Sequence, residues 1–249
     1  MKLPGFLLRL LYPPQCVVCG EPLPQNRMIC PGCERYLNHP AEKRRCPVCF
    51  LPLERCGCGK KLYYDKVAAP FLRDTPAKRS VDRMKFNGRL DLIRPLAYFM
   101  KQALEEREMT DGVDLITFIP MDPRKQRAKG YNQAEELAKE LSKLTGLPCR
   151  PLLEKYMRAP AQHERPTRLS RTGNLLGVYE PIRAEIPSFE GKRVLITDDI
   201  VTTGATLNEA AKTLLIFGAE KAYGAAAMLT PKSKPSDKDP TRRTVSPHR

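Results

Sequence analysis

The stretch Val194-Leu195-Ile196-Thr197-Asp198-Asp199-Ile200-Val201-Thr202-Thr203-Gly204-Ala205-Thr206 decides the fold of this chain. Its apolar, β-branched start predicts a buried strand, and two adjacent carboxylates follow. The small residues after them predict a turn whose backbone N–H groups can approach a ligand closely. A helix is predicted from Leu207 to Phe217, ended by Gly218, and its N-terminus adds further donors and a positive dipole end. The sequence therefore predicts an anion site, sized for a phosphate and formed by Thr202, Thr203, Gly204, Ala205 and Thr206.

The two acidic residues indicate what else this site holds. Asp198 and Asp199 would repel a phosphate, so they are better suited to sugar hydroxyls or to a hydrated Mg²⁺. A phosphate turn beside a carboxylate pair predicts a sugar phosphate as the ligand. The alternative is structural: a strand that ends in two acids and leads into an ordinary capped helix.

The same stretch closely resembles the phosphoribosyl pyrophosphate (PRPP) binding motif of type I phosphoribosyltransferases. The resemblance implies that the turn Thr202–Thr206 holds the 5′-phosphate of PRPP. It also implies that Asp198 and Asp199 are the catalytic carboxylates on the ribose hydroxyls, and that Mg²⁺ accompanies PRPP. Nothing obvious in the sequence marks a nucleobase pocket, so the acceptor stays open.

Strand and helix patterns alternate from Val113 onward. Such alternation predicts an α/β fold whose mainly parallel sheet is covered by helices on both faces, as in type I phosphoribosyltransferases. Ligands of such sheets bind at the carboxyl ends of the strands, where Asp198 and Asp199 are expected to lie. The predicted strands are Val113–Pro120, Leu152–Tyr156, Val194–Asp198 and Lys221–Leu229, and the predicted helices are Asn132–Thr145 and Thr206–Phe217.

Eight of the nine cysteines lie at the start of the chain and indicate zinc. Paired thiolates at turns suit a tetrahedral Zn²⁺ site, and a reducing cytoplasm disfavours disulfides. We therefore predict a double zinc ribbon with two structural Zn²⁺ ions in residues 1–60. The spacing is compatible with sequential ribbons and with a cross-braced pairing. The predicted ligands are Cys16, Cys19, Cys30, Cys33, Cys46, Cys49, Cys56 and Cys58.

The length and net charge of the chain limit the classes of protein to which it can belong. The chain has 249 residues and a formal net charge of +15. This charge favours an anionic partner such as nucleic acid or a phosphorylated sugar, with solubility alone as the alternative. No apolar run approaches the roughly 20 residues of a membrane helix, so we expect no membrane insertion and a cytoplasmic location.

The remaining segments complete a four-part organisation. Residues 61–111 are predicted as a hood, with a strand at Leu62–Phe71 and helices at Pro76–Phe86 and Leu90–Glu106. Residues 112–230 are predicted as the phosphoribosyltransferase-like domain, and residues 231–249 as a disordered basic tail. Near the start, Phe6–Tyr12 is predicted as an amphipathic helix.

A basic cluster lies between Ile119 and Gln133. Arg124, Lys125, Arg127 and Lys129 fall within six positions of what we predict to be a loop. A basic loop at the same sheet edge as the phosphate turn would suit a pyrophosphate. The alternative is a solvated basic loop with no ligand.

This cluster also narrows the resemblance. The string Ile119-Pro120-x-Asp122-Pro123-Arg124…Gly130-Tyr131-Asn132-Gln133 resembles the ComF family. The cysteine-rich start, the Lys85-Phe86-x-Gly88 step and the Asp198-Asp199 motif follow the order of that family. The likeness spans nearly the whole chain up to about residue 230. It implies a flexible stretch at Gln162–Gly177, in which Arg171 and Asn174 keep the family spacing.

Three functions stay open at this stage. The ComF resemblance implies a protein that binds PRPP and single-stranded DNA and supports DNA uptake in natural transformation. A second hypothesis is an active phosphoribosyltransferase of nucleotide metabolism that uses Mg²⁺–PRPP. A third is a scaffold whose zinc ribbons dock a ComFA-like helicase, with PRPP as a regulatory ligand. The oligomeric state is not indicated.

Overall fold

The computed structural model describes residues 15–24, 27–37, 45–56, 58, 62–155 and 178–231. Four predictions therefore lie outside the described residues: the helix at Phe6–Tyr12, the flexible stretch at Gln162–Gly177, its residues Arg171 and Asn174, and the basic tail from residue 232 onward. The described part covers both cysteine clusters, the hood and almost all of the predicted sheet.

A parallel sheet forms the centre of the molecule. In the described ranges the strands are β1 (Val67–Ala68), β2 (Phe71–Leu72), β3 (Leu115–Phe118), β4 (Leu153–Lys155), β5 (Tyr179–Pro181), β6 (Arg193–Val201) and β7 (Lys221–Leu229). The main sheet has the order β1-β7-β6-β3, and β2 also pairs with β7. All of these pairings are parallel. The predicted α/β fold with a mainly parallel sheet is therefore confirmed.

Helices cover this sheet. They are α1 (Pro31–Glu34), α2 (Lys78–Phe86), α3 (Ile93–Glu105), α4 (Pro123–Lys129), α5 (Gln133–Thr145), α6 (Ile186–Phe189) and α7 (Ala205–Ile216) in the part of the chain that the structure describes, with 3₁₀ turns at Leu53–Arg55, Leu90–Leu92 and Arg183–Glu185. Helices α3 and α5 pack on each other and on the sheet, while α7 packs against β5, β6 and β7. Helix α7 forms the connection between the parallel strands β6 and β7.

The central helices begin and end where their capping residues require. The Asn132 side chain accepts a hydrogen bond from the Ala134 N–H at the start of α5, and Gly146 ends that helix in the left-handed conformation. The apolar face of α3, with Leu96, Ala97 and Met100, is buried against the sheet and α5. These helices thus support the strands whose carboxyl ends carry the candidate site.

The two predicted strands in the outer parts of the fold have different outcomes. A strand predicted at Leu152–Tyr156 is present as β4, and it pairs antiparallel with β5 in a separate two-stranded sheet. The predicted strand Leu62–Phe71 is instead two short strands, β1 and β2, separated by Ala69 and Pro70. Proline lacks the N–H that a continuous ladder needs, which explains the break.

Strand β6, which carries the two aspartates, is longer than the sequence predicts. We predicted that it ends at Asp198, but β6 continues through both carboxylates to Val201. The reason is that Ile200 and Val201 pair with Met228 and Leu229 of β7, so apolar burial resumes after the acids. The acid pair therefore lies inside the carboxyl-terminal part of the strand.

The predicted basic loop is also corrected, because its centre is helix α4. Asp122 caps this helix: its Oδ1 accepts hydrogen bonds from the N–H groups of Arg124 (2.8 Å) and Lys125 (3.4 Å). Pro123 occupies the first turn, where its missing N–H costs nothing, and Gly130 ends the helix at φ 86°. The basic side chains therefore follow helical spacing.

Membrane spanning finds no support in the described ranges. Every helix there is too short or too polar to pass through a bilayer.

Candidate functional site

The turn that links β6 to α7 is open to a ligand. Thr202, Thr203, Ala205 and Thr206 are exposed, and α7 begins at Ala205. Gly204 adopts φ 76°, and a Cβ atom there would lie 2.7 Å from the Tyr64 hydroxyl oxygen. Only glycine therefore fits this position without a shift of its neighbours. The turn combines a close backbone approach with a helix N-terminus, which is the geometry of an anion site.

The two carboxylates lie just before this turn. Asp199 is 9 % exposed, and its backbone N–H donates a hydrogen bond of 2.8 Å to Oδ1 of Asp198. Burial raises the pKa of Asp198 well above its ordinary value, and the adjacent charge of Asp199 raises it further. Burial, with a smaller contribution from Asp198, also raises the pKa of the Tyr179 hydroxyl to about 12. The pair thus holds a proton more readily than two separate aspartates, and its carboxyl oxygens can accept hydrogen bonds from hydroxyl groups or bind a cation that replaces this proton.

A lysine from the hood forms an ion pair with one of these carboxylates. The Nζ atom of Lys85 lies 3.1 Å from Oδ2 of Asp199. The backbone of Lys85 is held in place, because its carbonyl accepts hydrogen bonds from Gln133 Nε2 (3.1 Å) and from Lys129 Nζ. The sequence predicts no role for Lys85 in this site, because the Lys85-Phe86-x-Gly88 step enters only as part of the family resemblance.

The basic helix reaches this site through its last turn. Of its four predicted cations, Lys129 is the one whose described contacts lead to the acid pair, through the Lys85 carbonyl. Burial lowers the pKa of Lys129, and the nearby charge of Asp199 opposes this shift. Arg124, Lys125 and Arg127 are exposed on the same short helix. The structure thus places Lys85, Lys129 and the two acids together near the carboxyl end of β6.

The hood is locked to the α4–α5 connection at the same place. The Tyr131 hydroxyl donates a hydrogen bond of 2.9 Å to the Met84 carbonyl at the end of α2. The ammonium group of Lys129 lies 4.6 Å from the centre of the Tyr131 ring. These contacts join the Lys85-Phe86 step to the Gly130-Tyr131-Asn132-Gln133 string, two motifs that are far apart in the sequence.

The cysteines form two separate clusters. The sulfur atoms of Cys16, Cys19, Cys30 and Cys33 lie within 4.8 Å of one another, and so do those of Cys46, Cys49, Cys56 and Cys58. Tetrahedral zinc with Zn–S bonds of about 2.3 Å places its sulfurs about 3.8 Å apart. The Cys19–Cys30 and Cys49–Cys56 sulfur distances are 3.8 Å and 3.5 Å. The clusters therefore fit two structural zinc ions in sequential ribbons, and the cross-braced pairing is excluded.

Backbone groups prepare one thiol of each cluster for metal. Burial alone would raise the pKa of Cys16, but the N–H groups of Cys19, Cys30 and Val18 bring it down to about 7. The same balance, with N–H groups of Cys49 and Val48, lowers the pKa of Cys46 to about 7. Zinc binds the thiolate form, so these two thiols are the most readily deprotonated ligands, whereas burial raises the pKa of Cys33 and Cys49.

Two family models match this arrangement. A double zinc ribbon domain matches residues 7–66, and a phosphoribosyl transferase domain matches residues 128–247. Together with the parallel sheet and the two cysteine clusters, they define a protein of the phosphoribosyltransferase fold that carries an N-terminal double zinc ribbon.

Relatives with assigned names narrow this class to one family. The chain is 30% identical to DNA utilization protein YhgH of Escherichia coli O6:H1, over 84% of this chain and 94% of that protein. It is 27% identical to competence protein F of Haemophilus influenzae, covering 83% and 93% of the two chains, and 26% identical to competence protein ComFC of Streptococcus pneumoniae, covering 83% and 96%. The chain belongs to this family, the ComF family.

Solved structures with a detectable likeness are more distant. A crystal structure of adenine phosphoribosyltransferase is 20% identical, covers 59% of this chain and 74% of its own, and gives a TM-score of 0.36. The glutamine PRPP amidotransferase of B. subtilis is 21% identical, covers 54% and 26%, and gives the same TM-score of 0.36.

Proposed function

We propose that this protein binds PRPP together with Mg²⁺ at the carboxyl end of β6, binds single-stranded DNA on the basic surface beside that site, and supports DNA uptake in the cytoplasm. One observation carries the proposal: the exposed turn and the acid pair are contiguous in a single strand–turn–helix unit. The names of the relatives, which refer to competence and to DNA utilization, support the biological role.

Each part of PRPP has a suitable partner in this arrangement. The N–H groups of the turn Thr202–Thr206 would hold the 5′-phosphate, and Asp198 and Asp199 would hold the ribose hydroxyls. Lys129, with Arg124, Lys125 and Arg127 on the same helix, would face the pyrophosphate. The Mg²⁺ ion, when bound with PRPP, would neutralise part of the pyrophosphate charge.

The ion pair between Lys85 and Asp199 gives the binding reaction a specific first step. Because Nζ of Lys85 lies 3.1 Å from Oδ2 of Asp199 in the free protein, we expect Lys85 to move aside when the ribose takes that oxygen. The released ammonium group would then be available to an anionic part of the ligand. PRPP binding therefore includes an exchange of partners at Asp199.

We place the surface for DNA on helix α2 of the hood, beside the basic helix α4. Lys78, Arg79 and Arg83 of α2 are exposed. The two helices meet where Lys129 donates to the Lys85 carbonyl, and Phe86 at that junction is 73 % exposed. Cations that track phosphates around an exposed aromatic ring are typical of single-strand binding.

Calorimetry tests the PRPP half of the proposal. Titration of PRPP with Mg²⁺ into the zinc-loaded protein should give saturable heat, and omission of Mg²⁺ should weaken the binding. The double variant Asp198→Asn/Asp199→Asn, with unchanged zinc content, should lose the signal. Absence of PRPP binding by the unaltered protein would refute this half.

Filter binding of a labelled oligonucleotide tests the DNA half. Phe86→Ala should weaken binding about tenfold, because stacking of one base contributes about 1–3 kcal/mol. Charge reversal at Arg79 and Arg83 should weaken binding further and reduce its dependence on salt. Equal affinity of these variants and the unaltered protein would move the DNA site elsewhere.

A second candidate function, phosphoribosyl transfer, is favoured by the cations beside the acid pair. In that reaction the bond from the ribose C1 to pyrophosphate breaks and a bond from C1 to an acceptor nitrogen forms. Lys85 and Lys129 lie where they would stabilise the departing pyrophosphate. Release of pyrophosphate in the presence of a nucleobase, lost in Asp199→Asn, would support an enzyme. Absence of release with every base would leave PRPP as a bound effector.

The scaffold hypothesis has one structural observation in its favour. A groove of about 500 Å³ separates the first zinc ribbon from α3, lined in part by Met28, Leu37, Tyr98 and Phe99. A ComFA-like helicase is the partner we propose for the ribbon module. A pull-down that survives the Asp198→Asn/Asp199→Asn change but fails with Cys16→Ser would support this partner.

A further inference from the structure

The second cysteine cluster (Cys46, Cys49, Cys56 and Cys58) is joined to the sheet by backbone and side-chain bonds. The Val67 N–H of β1 donates a hydrogen bond of 2.9 Å to the Val48 carbonyl, which lies between two of the cysteines. Arg107 donates to the Pro47 carbonyl (2.6 Å) and to the Val67 carbonyl. Its guanidinium group also lies 4.4 Å from the centre of the Phe50 ring. This cluster is therefore fixed to the sheet that carries the site.

The segment that leaves this cluster continues to the phosphate turn. The Tyr63 N–H donates a hydrogen bond of 2.7 Å to Oδ1 of Asn208, which lies in the first turns of α7. The Asp65 N–H donates to the Ala222 carbonyl at 2.9 Å, and the Lys66 carbonyl accepts from the Gly224 N–H at 2.9 Å. The segment 62–67 is thus bonded both to α7 and to β7.

Tyr64 belongs to this segment and lies against the turn. It is 5 % exposed, and its hydroxyl oxygen is 2.7 Å from the position that a Cβ atom would take at Gly204. Three residues later, the Val67 N–H is bonded to the Val48 carbonyl between two of the metal ligands. The backbone of one short segment therefore connects the metal ligands to the side chain that lies against the centre of the turn.

We propose that zinc in the second cluster positions the phosphate-binding turn through Tyr64, so that zinc at this cluster and a phosphate monoester at the turn bind cooperatively. Tyr64 is a positioning residue in this scheme: it supports the left-handed conformation of Gly204 from one side, and zinc fixes the segment that carries it. The inference rests on the proposed PRPP site and adds a regulation to it.

The first cluster (Cys16, Cys19, Cys30 and Cys33) offers an internal control. Its described contacts with the rest of the protein go to β2 and α2 and not to the segment 62–67: Leu37 forms a bridge with Phe71, and the guanidinium group of Arg83 lies beside Gly20. Zinc at the first cluster should therefore respond much less to a ligand at the turn than zinc at the second.

Linkage between two sites is reciprocal, which gives a test on the unaltered protein. The zinc-loaded full chain is mixed with a chromogenic chelator, and zinc release is followed with and without saturating Mg²⁺–PRPP. We expect PRPP to slow the release of one zinc equivalent at least fivefold and to affect the other much less. The single-site variants Cys19→Ser and Cys58→Ser identify the protected ion, which should be the one retained in Cys19→Ser.

Variants of Tyr64 test the path of the coupling. Tyr64→Ala should weaken PRPP binding at least fivefold and abolish the protection of zinc, while both zinc ions remain bound. Tyr64→Phe keeps the ring but removes the hydroxyl group that lies against Gly204, so it should give an intermediate loss of both effects. Tyr63→Ala is the matched control, because its bond to Asn208 comes from the backbone N–H and survives.

The outcomes separate this inference from the proposed function. If the unaltered protein does not bind PRPP, the proposed function is refuted and the coupling with it. If it binds PRPP but both zinc ions leave at unchanged rates, the coupling alone is refuted and the PRPP site stands. Equal behaviour of Tyr64→Ala and Tyr63→Ala would also refute a path through Tyr64.

Discussion

The two halves of the candidate site differ in how far they are prepared for a ligand. The turn Thr202–Thr206 is largely exposed, and its geometry is set by glycine at φ 76°. The acid pair is partly buried and already has a partner, because Lys85 lies 3.1 Å from Asp199. In the proposed binding mode the turn takes an anion without rearrangement, whereas Asp199 exchanges its contact with the Lys85 ammonium group for the ligand.

This difference teaches where affinity and selectivity arise. A preformed turn binds any small phosphate that fits, because the backbone donors do not distinguish among monoesters. The acid pair admits only a ligand that repays the loss of its lysine partner, such as a sugar with its metal ion. We expect inorganic phosphate to bind weakly and PRPP to use both halves. Each of the following predictions acts on one half.

The largest effect is expected at the acid pair. Asp199→Asn should weaken the binding of Mg²⁺–PRPP by about 100-fold, because hydrogen bonds to a charged group contribute about 1.5–3 kcal/mol. Calorimetry measures the change. Asp114→Asn is the control, since Asp114 bonds Arg193 at the opposite end of β6. Asp199→Asn binding within threefold of the unaltered protein would place the ribose elsewhere.

The turn should respond less strongly. Gly204→Ala should weaken PRPP binding about tenfold, because alanine at positive φ costs about 1 kcal/mol and its Cβ would lie 2.7 Å from the Tyr64 hydroxyl. Gly146→Ala provides the control: its φ of 77° gives the same strain, but nothing lies within 4 Å. Both variants should melt earlier, and only Gly204→Ala should lose affinity. Equal PRPP affinity of the two variants would mean that the turn does not contact the ligand.

The sequence predicted these two halves unequally, for a physical reason. The turn and the acids are local, so a strand pattern, two aspartates and a glycine suffice to place them within one unit. The partner of Asp199 is not local: Lys85 reaches it only because Tyr131 and Gln133 hold the end of α2 over the sheet. No pattern in a single sequence reports such a contact.

Two other features mark the same limit. Helix α4 is not predicted although Asp122, Pro123 and Gly130 are capping signals, because four cations in six positions favour a loop that binds pyrophosphate. The zinc pairing could not be predicted from spacing, since both arrangements use the same intervals. The spatial grouping of the sulfur atoms decides between them. Periodicity did place α5 and β7 with the correct ends.

The exchange at Asp199 is tested by removing the competing lysine. Lys85→Met should lower the Mg²⁺ concentration needed for half-maximal PRPP binding about fivefold, because a partly exposed ion pair contributes about 1 kcal/mol or less. Lys85→Arg keeps the charge and should leave the requirement near its original value. A higher Mg²⁺ requirement in Lys85→Met would mean that Lys85 contacts the bound ligand more than it competes with it.

The smallest effect concerns the free protein and the other carboxylate. Because the pKa of Asp198 is raised in the fold, the native state keeps this proton more tightly than the unfolded chain. Stability should therefore fall as pH rises from the ordinary aspartate value near 3.8 through the raised value. Asp198→Asn should remove this loss and raise the unfolding free energy by about 0.5–1 kcal/mol at pH 8, measured by urea denaturation.

A carboxylate of opposite environment makes the sign of this prediction testable. Hydrogen bonds from Arg193 lower the pKa of Asp114, so its contribution to stability is present above its ordinary pKa and is lost as pH falls. Asp114→Asn should therefore lower the urea midpoint at pH 8, where Asp198→Asn raises it. Lys85 and Asp199 face Asp198 in the fold, and Tyr179 lies near it. If Asp198→Asn destabilises the protein at pH 8, the acid pair stabilises the fold. The proposed difference between a turn that is ready for a ligand and an acid pair that lowers stability in the free protein would then be wrong.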